Sequence, residues 1–203
     1  MSKPYYHFIP SRFPAAKFDE IATQMKGHYG RFDREVQGVV ASLFGQNQSP
    51  RAQRFSHIRV AAFDSYDAHD AYQKAPLHDD VTGYLLALTE EMVAGDIEGP
   101  VLLGPPANYY SITLLWPKGT AADPALWDRI GQVVTAARTA VTDMAFLEAG
   151  PNLSPYAKGW THLMAAAFAS QAACTAFEMS AQHAALVSLL EPHFERHIAA
   201  IGR

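Results

Sequence analysis

The sequence predicts an α+β protein: two ferredoxin-like βαββαβ repeats whose antiparallel sheets pack face to face into an intrachain pseudo-dimeric α+β barrel. The first observation behind this is a duplication. FSHIRVAAFDSYDAHDAYQKAPLH, Phe55 to His78, returns 105 residues later as WTHLMAAAFASQAACTAFEMSAQH, Trp160 to His183, and eight of the 22 positions from His57 to His78 are identical without a gap. The second is that the same order of strand-like and helix-like periodicities flanks each copy. The third is physical: a four-stranded sheet with its helices on one side leaves an apolar face bare, and in a duplicated chain the partner that covers it is already attached.

The elements follow in order. PYYHFIP and NYYSITLLW, from Pro4 and Asn108, are aromatic-rich apolar runs that predict the opening strand of each repeat. Phe18, Ile21, Ala22 and Met25 then recur at helical spacing; in the second copy Asp123 and Pro124 read as cap and first turn ahead of Ile130, Val133, Val134, Ala137 and Val141. VQGVVASLF and DMAFLEAG predict the second strand, and the third carries His57 or His162. A helical stretch with Tyr72 or Phe177 leads into a longer apolar helix, through Val81, Tyr84, Leu85 and Leu88 or Leu186, Leu189 and Leu190. MVAGDIE and RHIAAIG close the repeats as strands. The turn-rich GPVLLGPPAN, Gly99 to Asn108, is the predicted linker, so that residues 1–100 form one repeat and 107–203 the other.

With 49% apolar residues the chain can bury a core in each repeat. A charged fraction of 18% and a formal net charge of −4 give no basic surface for nucleic acid or an anionic membrane. Cys174 is the only cysteine, without an internal disulfide partner, and reads as a small apolar filler. No secretory leader and no membrane-length apolar run are seen, which predicts a cytoplasmic protein; its expected partner is a small hydrophobic or aromatic substrate, with a homodimer of fused chains left open.

In HIRVAAF, alternation sets His57, Arg59, Ala61 and Phe63 on one face and Ile58, Val60 and Ala62 on the other. The aliphatic set is expected against the helices and the His/Arg set toward the barrel interior, with His7 beside it and the space between the sheets as the ligand site. Pro76 predicts a break that aims Tyr72 and His78 at one point. The second copy has Ser111 for His7, Met164 for Arg59 and Phe177 for Tyr72, so only the first copy is expected to be active. His57 persists as His162, so a structural role for it stands beside a catalytic one. His28 and His69 are expected on solvated helices, and His193 and His197 carry no assigned role. No HxH, HxxxH or His/Asp cluster at ligand spacing, no GxSxG and no phosphate or dinucleotide loop occurs among the candidate residues.

With YYHFI, HIRVAAFDS and DAYQKAPLH in place, the chain resembles the stress-responsive A/B barrel (Dabb) family, as a fused tandem, and in its N-terminal repeat the family's polyketide-cyclising plant members, the olivetolic acid cyclases. The resemblance implies a metal-free, cofactor-free site in which His78, Tyr72, His57 and His7 are catalytic. Tyr29 corresponds to a tyrosine that lines the relatives' pocket, and Arg59 and Phe63 complete the substrate-binding set. Imidazoles that titrate near neutrality, a tyrosine hydroxyl and a guanidinium suit proton transfer at carbon with an oxyanion partner. The expected function is therefore a cofactor-independent lyase or cyclase of aldol, retro-aldol or elimination type. The competing expectations are a non-catalytic, stress-related barrel that binds an apolar ligand, and a cofactor-free or haem monooxygenase.

Overall fold

The computed structural model describes residues 3–52, 54–99, 107–119 and 124–202, apart from the side chains at 26, 29, 30, 33 and 124. Most of the predicted linker and Asp123 lie outside the described residues. The first repeat runs β1 (Tyr5–Arg12), α1 (Phe18–Glu35), β2 (Val39–Gln46), β3 (His57–Phe63), α2 (Tyr66–Gln73) and α3 (Pro76–Leu88). Its edge strand comes in two pieces, β4 (Glu91–Met92) and β5 (Gly95–Glu98). The second repeat runs β6 (Tyr109–Pro117), α4 (Pro124–Ala140), β7 (Met144–Pro151), β8 (His162–Phe168), α5 (Gln171–Glu178), α6 (Ala181–Leu190) and an unbroken β9 (Phe194–Gly202). The sheets are antiparallel, ordered β2-β3-β1 with β4 and β5 on the outer edge, and β7-β8-β6-β9.

The residues shared by the copies account for this repetition. Ser65 and Ser170 cap α2 and α5 by accepting hydrogen bonds from the amides of Ala68 and Ala173. At the next helix the copies differ: Pro76 stands at the start of α3, where its missing N–H costs nothing, whereas Ser180 caps α6 by accepting from the His183 amide. Each second strand carries an irregularity at the same place, between Val39 and Ala41 and between Met144 and Phe146.

The faces of the sheets are the reverse of the expectation. Tyr6, Phe8, Ile58, Val60 and Ala62 meet Tyr110, Ile112, Leu114, Leu163, Ala165 and Ala167 in the core between the sheets, which Phe55, Phe146 and Trp160 help to fill. Ala61 and Phe63 instead pack under the helices with Ile21, Met25, Phe32, Tyr72 and Leu85. The physical reason is that two sheets in direct contact leave no place for a polar head or water, so the aliphatic set is required there. Histidine and arginine go to the helix side, where gaps between helix and strand can hold polar groups. Among the described residues the space between the sheets is tightly filled by side chains: at Gly95 a Cβ would come within 2.7 Å of Ile112 Cδ1.

Candidate functional site

The pocket that opens is between the first sheet and α3. Leu77, Val81 and Leu85 form the buried stripe of that helix; one residue further round, His78 and Thr82 face a pocket of about 330 Å³ floored by His7, Ile9 and Arg59. That volume lies in the range of small-molecule sites. Register explains the floor: Ile9 pairs with Arg59 and His7 with Ala61 across β1 and β3, so a small residue leaves room beside His7.

His7 is held by a residue that was not among the sequence candidates. On the other flank of β1, His7 pairs with Asp96 of β5, and its Nδ1 lies 2.6 Å from Asp96 Oδ1 with both side chains buried. The carboxylate also accepts from the Tyr5 hydroxyl at 3.3 Å. With Nδ1–H donated to the carboxylate, Nε2 is left as the nitrogen that exchanges protons. The legible signal was Asp96, an acid flanked by Gly95 and Ile97 inside the strand MVAGDIE.

Arg59 is buried, and its Nη1 donates to the Tyr72 hydroxyl at 2.5 Å. Its guanidinium rests over the rings of Phe32 and Tyr72, 4.6 and 5.0 Å from their centroids. Tyr72 thus stands behind Arg59, and its ring meets that of His78 edge-on with centroids 5.0 Å apart. The break at Pro76 does bring Tyr72 and His78 together, but it is Arg59 and His78 that line the pocket. Burial holds His78 below the ordinary histidine range, and the neighbouring His7 and Arg59 push it the same way. Its Nε2 is 3.3 Å from Thr82 Oγ1.

The other predicted residues lie apart from the pocket wall. His57 is boxed in by Phe13, Phe18 and Phe44, as His162 is stacked on Trp127 in the second repeat. Phe63 stacks on Tyr72. The side chain of Tyr29 in α1 lies outside the described residues. His69 corrects the expectation of a solvated helix position: it is buried against Tyr5 with centroids 4.5 Å apart, and burial, with His7 nearby, lowers its pKa to about 4. His7, His69 and Asp96 also correct the reading that no His/Asp cluster forms. Their ligand atoms lie within 4.8 Å of one another, a set that could hold a metal ion, although His7 and Asp96 are bonded to each other here.

In the second repeat the equivalent place is closed. Ser111, Met164, Phe177 and His183 surround a space of only about 10 Å³, and the register puts Ala200 where the first repeat has Asp96. Cys174 replaces His69, and burial pushes its thiol up to about 12, so it is an inert filler.

Fold and site together define a fused α+β barrel in which a pocket bearing His7, Arg59 and His78 is open in the first repeat and its counterpart in the second is closed. Residues 6–98 match the family model of the Stress responsive A/B Barrel Domain, Dabb, so the N-terminal repeat is a domain of that family. Solved structures extend the likeness to the tandem. A "putative monooxygenase" from Fusobacterium nucleatum has a TM-score of 0.69 at 9% identity, covering 99% of this chain and 92% of its own. A protein of the same description from Lactobacillus acidophilus has 0.64 at 9% identity, covering 98% and 93%. An anthrone oxidase-like protein has 0.63 at 11%, covering 98% and 90%. At these identities the likeness is one of fold. No curated protein matches the sequence.

Proposed function

We propose that the protein is a cofactor-independent acid–base catalyst of lyase or cyclase type, acting at a carbon next to a carbonyl in a small aromatic or polyketide-like substrate. Residues 1–100 supply the reacting groups, and residues 107–203 serve as a scaffold. The observation that carries this reading is the convergence of His7, His78 and Arg59 on one pocket of about 330 Å³, against a counterpart of about 10 Å³ bordered by Ser111, Met164 and His183.

His78 is the base. Its neutral imidazole, which borders the pocket with Thr82, removes a proton from the substrate carbon. The C–H electron pair moves onto the carbonyl oxygen, and the enolate is held by the Arg59 guanidinium, which Tyr72 steadies from behind. In the closing direction the enolate carbon attacks a second carbonyl, whose π electron pair moves to its oxygen. That alkoxide takes up a proton relayed through His7, oriented by Asp96, as His78 gives up the one it removed, and the retro-aldol runs the same steps in reverse. Phe63 stacks on Tyr72 and so supports the site from behind. Passive binding of an apolar ligand, the alternative role, would be better suited by a cation-free apolar pocket than by one that buries Arg59 beside two histidines.

Deuterium uptake from D2O into the methyl group of 4′-hydroxyacetophenone, followed by NMR, tests the reading without knowledge of the natural substrate. The protein should accelerate exchange, and His78→Gln should lower the enzymatic rate about 100-fold or more. Exchange no faster than in buffer, or unchanged in His78→Gln, contradicts it. The name carried by two of the structural neighbours favours one second reading, in which the same carbanion reacts with oxygen; oxygen consumption coupled to substrate loss would select it.

A further inference from the structure

We infer that the second repeat forms the outer wall of the first repeat's pocket, and that Lys158 on this wall selects small aromatic molecules that carry a carboxylate. The inference deepens the proposed function by naming a substrate class; it needs the pocket to be a ligand site but needs no reaction there.

The wall is the loop between β7 and β8, which lends Tyr156 and Lys158 to the pocket. It is tied down where the edge strand of the first repeat breaks. Asn152 Nδ2 donates to the carbonyls of Ala94 and Trp160, and its Oδ1 accepts from the amides of Asp96 and Ser154. The Leu153 amide donates to the Asp96 carbonyl and the Ala94 amide to the Tyr156 carbonyl. The same residues that hold the wall thus carry the aspartate that orients His7.

Lys158 sits in this loop with φ +48° and is followed by Gly159 at φ +90°. A Cβ at Gly159 would come within 2.5 Å of the Trp116 indole, so the turn is held in one shape. A left-handed backbone favours glycine or asparagine, and a lysine there carries a conformational cost. The backbone therefore does not explain the lysine, whereas its place beside the pocket does. The pocket floor already holds one buried cation, Arg59. Asp79, the acid at the mouth, is 85% exposed and turned to His78 at 3.7 Å. An anion entering between Arg59 and Lys158 meets two cations, while Asp79 is solvent-screened and the Asp96 carboxylate is taken up by His7 and Tyr5.

Calorimetric titration with benzoate and with its neutral isostere benzamide, at low ionic strength on the whole chain, tests this. Lys158 is exposed, so Lys158→Gln and Lys158→Glu should fold as the parent does. Benzoate should bind more tightly than benzamide. Lys158→Gln should weaken benzoate about fivefold and leave benzamide unchanged, the scale of one partly exposed ion pair, and Lys158→Glu should weaken benzoate further. Equal binding of the two probes, an unchanged preference in Lys158→Gln, or binding of neither at 10 mM (about the weakest affinity such a fragment would show) overturns the inference. Lys158-dependent benzoate binding without any deuterium exchange would sink the catalytic reading and support this one.

Discussion

Asp96 shows most clearly why single residues were only partly legible. In sequence it is one acid among 20 acidic residues, 89 positions from His7, and nothing local ties the two together. Only the register of β5 against β1 makes them neighbours. Arg59, His78 and His7 were legible because each differs from, or sits in a motif shared with, its counterpart in the other copy. Their facing was misread, because alternation tells that two sets of side chains part company but not which side the partner sheet takes. A prediction follows from the setting of His78. Its neutral form is the working base, and burial together with His7 and Arg59 lowers its pKa, so activity is kept below the ordinary imidazole value. The acid limb of kcat/KM should fall below about pH 6.5. In Arg59→Met the loss of the positive neighbour should move that limb upward, whatever happens to the maximal rate. A pH–rate profile with an acid limb at or above 6.5 in the parent, or unmoved in the variant, contradicts this.

At the scale of elements, strands, helices and their order were legible from periodicity, and the cap serines and Pro76 explain why the boundaries fall where they do. The loops between the second and third strands were not. They contain a second shared motif, NQSPR from Asn47 and NLSPY from Asn152, whose function is visible only when both repeats are in place. Asn47 Oδ1 accepts from the Ala200 amide and its Nδ2 donates to the Ile198 and Phe55 carbonyls, mirroring the bonds of Asn152 on the opposite edge. Each asparagine clasps the last strand of the other repeat. Truncating either leaves partly buried backbone groups unpaired, at about 1–3 kcal/mol. Asn47→Ala and Asn152→Ala should therefore lower denaturant stability by similar amounts, while Asn152→Ala alone weakens ligand binding in the open pocket. Equal loss of binding in the two variants would show that the clasp at Asn152 has no local effect on the site.

For the whole molecule, duplication removes the need for a second chain. The core between the sheets buries Tyr6, Phe8, Ile58 and Val60, each at most 1% exposed. Side chains of this kind gain about 1.5–3 kcal/mol apiece when taken out of water. If residues 1–100 are one unit, that fragment expressed alone should run as a dimer or larger species in sedimentation, since a monomer would expose this whole face; a stable monomer would contradict the account. Among the described residues no helix is long and apolar enough to cross a membrane. Fusion also frees the copies to diverge, and the contrast between His7 with Asp96 and Ser111 with Ala200 is the outcome. The most direct test of that lopsided division is an imidazole 15N NMR titration with 4′-hydroxyacetophenone. The signals of His7 and His78 should shift with saturation while those of His162 and His183 stay in place. Movement of His183 with His7 and His78 unmoved would place ligand binding in the wrong half of the barrel and overturn the account.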